Sequence, residues 1–437
     1  MSSIGYGQDQ QTPADAGQPR DGGVEQPRTA PVDPARIVTR FEASLEFDRL
    51  VEEENFEAAA AVGDRLLSLT REEFGAISPE TADAHIVVAG VQAGNGDREG
   101  AEQNYLLAID IYSEIDGAFS ENLIRPMLGL GDSYHDEGQF LNAVAAYNEA
   151  RTVNRRVFGL LDDGQISILD RMTRTYLAMN EYEQADAQQR AALAIIERRH
   201  EPYAEETLNA IYKYARWLRD RRRYTQERDQ YARAIRVIRA HFGENGTEMV
   251  KPLRETGNSF RKQGAAVSQG INGLNTALEL LEAQEQPERR ALAEVLRDIG
   301  DWETAFSRMG ADGAAYRRAW QHLDNVEGGD ELRNDWFGGI EYVLNEPLSL
   351  RGLSSALDAE QGFVLAKFDL DEAGRTANVA ILESHPPGLK DEAVARHVRQ
   401  SRFRPHMSDG AIVLRRNLAL RVIFRYAPSA IDGEENE

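Results

Sequence analysis

The chain has 437 residues, 41% of them apolar and 28% charged, which is the balance of a globular protein with room for two to four domains. A net charge of −23 argues against nucleic acid as the main partner. With no cysteine, disulfides, thiolate nucleophiles and cysteine-ligated zinc or iron–sulfur centres are excluded.

Residues 1–36 hold Pro13, Pro19, Pro27, Pro31 and Pro34 among Gly, Gln and Asp, with few apolar side chains. Such a segment cannot bury enough surface to offset about 1–2 kcal/mol of backbone ordering per residue, so a disordered tail is expected. From 37 to 325 the sequence repeats. Small residues recur at Ala108, Ala150, Ala192 and Ala234, each 42 apart, then at Thr276 and Ala319. A large residue stands three positions earlier in most units, at Tyr105, Tyr147, Tyr231 and Tyr316. A second small series, Ala101, Ala143 and Ala185, weakens at Glu227. Gly75, Gly117, Gly159 and Gly243 keep step in the turns, with Glu201 in the remaining slot.

Small residues let antiparallel helices approach closely, and the neighbouring aromatic fills the groove that results. Each unit therefore reads as a helical hairpin, and about seven are expected. One hairpin alone leaves apolar faces wet, so the units must stack, and the predicted fold is a mostly α solenoid. The apolar run Ile86–Val91 is far short of the ~20 residues of a membrane-spanning helix, so no span is expected in this chain. Residues 326–346 read as a linker with glycine pairs at 328–329 and 338–339. Its Trp336, Phe337 and Tyr342 suggest that part of it packs.

Over 347–428 the period changes from 3.6 to 2. Val364, Ala366, Phe368 and Leu370 line one face of a strand, 371–374 form a turn, and 377–383 make a second strand. Residues 389–400 read as a helix. A last long strand from Ile412 to Tyr426 turns Leu418, Leu420, Val422 and Phe424 inward and Arg415, Arg421 and Arg425 outward. The expected architecture is a small α+β domain with an antiparallel sheet after the solenoid, then an acidic tail at 429–437. This segment carries twelve positive and nine negative groups in an otherwise acidic chain.

The 42-residue spacing resembles the tetratricopeptide repeat in the form found in kinesin light chains. That resemblance implies a protein-binding solenoid whose first helices line a concave groove. Carried onto this sequence, the groove positions include Arg216, Arg219, Lys251, Arg254, Arg261 and Lys262, a convergence of positive charge suited to an acidic peptide or chain terminus. Gly362–Phe368, Asp371–Gly374, Val379–Ser384, Leu389…Ala393 and Arg402–Pro405 are similar to the C-terminal domain of the TonB energy-transducer family. This second resemblance implies a three-stranded antiparallel sheet packed on helices, action in the bacterial periplasm, and capture of the N-terminal segment of an outer-membrane transporter by strand addition. Glu346-Pro347-Leu348 stands where the family carries Tyr-Pro, and the solenoid stands where a full transducer has its anchor and spacer. In either role Arg415, Arg421 and Arg425 would face a partner or deter edge-to-edge aggregation.

No catalytic constellation, metal site or cofactor motif emerges, and no enzyme is expected. None of the five lysines follows a glycine, so there is no phosphate loop. Gly328-Gly329-Asp330-Glu331 reads as linker and Gly94-Asn95-Gly96 as an inter-helix turn. Asp369 and Asp371 read as hairpin-turn residues, and the eight histidines lack ligand spacing. The function read from sequence is a non-enzymatic adaptor presenting a TonB-like domain to an outer-membrane transporter or other envelope partner. That reading presupposes export by a leader or anchor upstream of Met1. The alternative is a tetratricopeptide scaffold, cytoplasmic and co-chaperone-like, binding peptides without energy transduction. Sequence leaves the oligomeric state open.

Overall fold

A computed structural model describes residues 34–201, 203–307, 312–324, 326–345 and 360–426. The expected tails, up to residue 33 and from 427 onward, and the start of the expected α+β domain at 347–359 lie outside the described residues. The chain divides into two compact units between Asn142 and Ala143.

The first unit holds α1 (Pro34–Glu52), α2 (Phe56–Phe74), α3 (Pro79–Gly94), α4 (Arg98–Asp116) and α5 (Ile124–Asp136). Side-chain caps start three of them: Asn55, Ser78 and Asp97 accept from the backbone N–H of Ala58, Thr81 and Gly100. Ala59, Ala101 and Ala108 are fully buried. A Cβ on Gly129 of α5 would lie 2.4 Å from the ring of Tyr105, so the small residue is what lets the aromatic lie against the next helix.

In the second unit α6 (Phe140–Val157), which begins at the boundary, is followed by α7 (Gly164–Ala178) and α8 (Tyr182–His200). Next come α9 (Thr207–Asp220) with α10 (Tyr224–Phe242), α11 (Val250–Lys262) with α12 (Ser268–Glu282), and α13 (Arg289–Phe306) with α14 (Ala314–His322). Tyr147, Ala150, Ala192, Tyr231, Ala234, Tyr316 and Ala319 are all buried, as the repeat requires. One slot is shifted. Thr276 is exposed, and Ala277 with Leu274 three residues before it fills the buried positions. The α11–α12 connection, 263–267, is longer than the 221–223 connection of the preceding hairpin, so the frame moves within this hairpin, between its two helices.

The turn series has a backbone cause. Gly75, Gly117, Gly159 and Gly243 have φ of 90°, 83°, 98° and 81°. Glu201 in the same slot adopts φ 67° and ψ 151°, a region that side chains rarely enter.

After the last hairpin come α15 (Gly329–Phe337), β1 (Tyr342–Leu344), β2 (Glu360–Leu370), β3 (Thr376–His385), α16 (Asp391–Gln400), β4 (Arg402–Phe403), β5 (His406–Ser408), β6 (Ala411–Val413) and β7 (Arg415–Tyr426). The main sheet is antiparallel with order β3-β2-β7, and β1 pairs with β4 and β5 with β6. Val364, Ala366, Phe368 and Leu370 form its buried face with Leu418, Phe424 and Tyr426, and Val394 and Val398 of α16 pack on them. The strand expected from Ile412 to Tyr426 is two strands. Asp409 and Gly410, at φ 51° and 79°, turn β6 back onto β5, and exposed Leu414 separates it from β7. Asp369 ties two bulges together, accepting from Asn378 Nδ2 at 2.7 Å and from the Asn417 N–H at 2.9 Å. Asp371 accepts from the backbone N–H of Ala373 and Arg375 and so closes the β2–β3 turn.

The helical part and the sheet region share a core. Leu296, Tyr316 and Ala319 of the last hairpin pack with Phe337 of α15 and Met407 of β5.

Candidate functional site

The second unit gathers all six expected groove cations on α9 and α11, the first helices of adjacent hairpins. Three of the six are committed to carboxylates of the same unit. Arg219 donates from Nε to Glu227 at 2.6 Å and from Nη2 to Tyr231 and Glu255. Glu227 occupies the slot held by alanine in earlier units and is fully buried. It also accepts from Ser259 Oγ at 2.7 Å, so its charge needs the arginine. Burial alone would lower the pKa of Arg219, but Glu255, Tyr231 and Glu227 outweigh it and the net shift is upward.

Arg254 donates to Asp298 at 2.8 Å and to Glu294 at 2.5 Å, while Arg297 and Asn258 also donate to Asp298. Burial would push the Asp298 carboxyl up, and Arg297 with Arg254 reverses this and holds it well below the usual range. Arg261 donates to the Val343 carbonyl of β1, bonds Asn258 at 3.3 Å and lies 3.4 Å from Asp301. Arg216, Lys251 and Lys262 are exposed, with no carboxylate partner among the described residues. The Lys251 ammonium lies 4.0 Å from the centre of the Tyr212 ring. Desolvation, joined by the charges of Arg219 and Arg261, lowers the pKa of Lys262.

The contact that sequence reasoning missed lies between α13 and the sheet region. Arg404 grips Asp301 through two bonds, Nε to Oδ1 at 2.8 Å and Nη2 to Oδ2 at 2.9 Å, and also donates to the Trp336 carbonyl. Asp301 is 1% exposed and Arg404 8%. Tyr316 donates to Asp301 at 2.9 Å. Burial would raise the Asp301 carboxyl, but Arg404 and then Arg261 bring it below its ordinary value. Around this pair a polar cavity of about 560 Å³ opens, lined by residues of α9, α11, α13, α15 and β1. A signal existed: Asp298 and Asp301 fall within a helix that is otherwise apolar from Leu292 to Trp302 on its buried arc.

In the sheet, β7 and β3 are the outer strands, and no other strand pairs with their free edges among the described residues. Arg415 donates to the Gly338 carbonyl and sits 3.4 Å from His406 Nδ1, so it braces the linker side. Arg421 lies 3.9 Å over the Phe363 ring, and Ile423 and Arg425 are exposed on the same face. Among the described residues no helix is long and apolar enough to cross a membrane, and no group of three His, Asp or Glu is placed to hold a metal ion.

Residues 122–197 match the tetratricopeptide repeat model, and residues 355–426 match the model of the Gram-negative bacterial TonB protein C-terminal. The chain carries a tetratricopeptide repeat region and a TonB C-terminal domain. Both are protein-interaction domains, so its role is one of protein interaction. Similar solved structures include kinesin-light-chain TPR-like repeats from Podosopora anserina, 12% identical, covering 49% of this chain and 100% of that one with a TM-score of 0.39. The C-terminal part of a TPR repeat-containing protein from Cytophaga hutchinsonii is 12% identical, with 65% and 97% covered and a TM-score of 0.40. Apo RapI is 15% identical, with 68% and 79% covered and a TM-score of 0.39. These values are too low for any activity or partner to be carried over. No curated protein matches the chain.

Proposed function

We propose that the protein is a non-enzymatic adaptor of the Gram-negative envelope, acting in the periplasm, whose TonB-like domain offers the free edge of β7 to a strand of an outer-membrane transporter or another envelope protein. The observation that carries this reading is a twelve-residue outer strand with one face in the core and Arg421, Ile423 and Arg425 on the other. Six added backbone bonds at ~0.5–1.5 kcal/mol each give about 3–9 kcal/mol, which association costs of ~4–15 kcal/mol largely cancel. Affinity must therefore come from side chains beside the edge, and Ile423 with Arg421 supplies an apolar contact flanked by a cation. The full chain should recover an outer-membrane protein from a Gram-negative envelope extract, and Ile423→Asp should reduce that recovery. Recovery of soluble proteins alone would count against the reading.

A second reading, a scaffold that binds an acidic peptide on the solenoid, is favoured by Arg216 and Lys251, which are exposed without a carboxylate partner among the described residues. Arg216→Glu with Lys251→Glu is the test, since Arg254 is committed to Asp298 and its reversal would disturb the fold. Unchanged acidic-peptide affinity would remove this reading.

A further inference from the structure

Each unit turns one apolar face to solvent. In the first unit the face is on α1, where Ile37, Val38, Phe41 and Leu45 are each at least 42% exposed. Ala43, Phe47 and Leu50, on the opposite side of the helix, pack with Ala59 and Leu66 of α2. The end helix of a helical stack normally turns a polar face outward, and α1, the first described helix, does not. Residues 1–33 hold few apolar side chains with which to cover it. Its surroundings are acidic. α1 carries three arginines and four carboxylates, and Arg40 and Arg49 bind two more, Glu73 and Glu53, which leaves a net charge of −3.

In the second unit the face is the side of the β3-β2-β7 sheet opposite Val364, Ala366 and Phe368. Half-buried Phe363 and Leu365 of β2 lie on it, with Leu382 of β3 and Ile423 of β7, 56% and 57% exposed. Its charge has the other sign. Lys367, Arg421 and Arg425 outnumber Asp369 and Glu383, and Arg416 is close enough to act on Asp369. The dimensions also agree: Ile37 to Leu45 spans about 12 Å along a helix, and strands spaced about 4.8 Å put the outer two of three about 10 Å apart.

We propose that α1 of one chain docks on the open sheet face of the TonB-like domain of a second copy, with Phe41 and Leu45 on the apolar face and Glu42 and Glu46 toward Lys367 and Arg421. Pairing α1 with α1 would set acidic flanks against each other, and pairing two sheet faces would do the same with cations, so each face is better matched to the other than to itself. The contact is therefore heterologous and joins copies head to tail. One helix on three strands is a small interface, and association in the micromolar range is expected. Strand capture uses the free edge of β7, whereas Leu382 and Lys367 stand on β3 and β2, so changes there leave that edge intact and the two readings fail separately.

The test is sedimentation velocity of the full chain from low to high micromolar concentration. The weight-average sedimentation coefficient should rise with concentration. Phe41→Asp and Leu382→Asp, both at exposed positions, should each weaken this association about tenfold or more. An equimolar mixture of the two variants should recover association, but only as far as a dimer, because the intact α1 of the Leu382→Asp chain meets the intact sheet of the Phe41→Asp chain. Glu46→Lys and Lys367→Glu, which alter charge without placing a new group in a core, carry the same mixing test and guard against misfolding. A wild-type chain that stays monomeric, or mixtures no more associated than their separate components, would overturn the proposal. Association that Phe41→Asp abolishes and Leu382→Asp leaves intact would overturn it in favour of α1 pairing with itself, and the reverse result in favour of sheet pairing with sheet.

Discussion

Replacing Arg404 by alanine probes how the TonB-like domain is held. The substitution deletes two bonds of 2.8 and 2.9 Å to Asp301 and the bond to the Trp336 carbonyl. Asp301 would keep Tyr316 at 2.9 Å and Arg261 at 3.4 Å, which is too little for a carboxylate 1% exposed. Stranding one partner of a buried pair costs about 3–5 kcal/mol, whereas replacing both by apolar side chains of similar volume costs far less. Urea denaturation should therefore show a loss of about 3–5 kcal/mol for Arg404→Ala and a smaller one for Asp301→Leu with Arg404→Met. The pH dependence follows from the depressed carboxyl of Asp301. Because its folded value lies below the ordinary one near 3.9, the stability it contributes is complete above about pH 4 and is lost as pH falls toward the folded value. In Arg404→Ala the strongest of the charges that lower this carboxyl is gone, so less stability rests on its ionisation and the acid limb should be shallower. A cost below about 1 kcal/mol, or an unchanged acid limb, would refute the view that this pair holds the junction.

Three further outcomes are expected. Tyr147 is fully buried at a repeat position, and Tyr147→Ala should cost about 3–5 kcal/mol by chemical denaturation. Glu201 holds a glycine-like backbone conformation at φ 67° and ψ 151°, so Glu201→Gly should raise stability, by about 1 kcal/mol, where a loss would show the strain to be absent. His85, 4% exposed with Nδ1 2.6 Å from Asn104 Oδ1, has its pKa lowered chiefly by burial, which outweighs Asn104 and is reinforced by Arg71. Its unfolded form takes up protons first, so stability should fall as pH drops below about 6.5, and His85→Gln should flatten that slope between pH 5 and 7.5.

The repeat was legible because its physical requirement is local. A 42-residue spacing of alanines and tyrosines survives as buried Ala108, Ala150, Ala234 and Tyr147, and the turn glycines survive as positive φ. It failed where a loop changed length, so that Ala277 rather than Thr276 is buried, and where Glu227 stands in an alanine slot. That glutamate also explains why the groove was only partly legible. Spacing places Arg219, Arg254 and Arg261 on the first helices of their hairpins, but it cannot show that Glu227, Asp298 and Asp301 reach them from elsewhere. The sheet was readable from alternation in β2, whereas the hairpin signal Asp409-Gly410 goes unused in the sequence reading, which merges β6 with β7 into a single long strand. The pairing of Asp301 with Arg404 spans 103 residues, and no periodicity encodes it.

The central claim is that the outer edge of β7 takes a strand from an envelope protein. Amide hydrogen exchange over Arg415–Tyr426 in the full chain, alone and in the complex recovered from envelope extract, tests it most directly. Slowing of the β7 amides by about tenfold or more, with β2 unchanged because both its edges are already paired, is the predicted result. Exchange in β7 that is the same with and without the captured partner would contradict it.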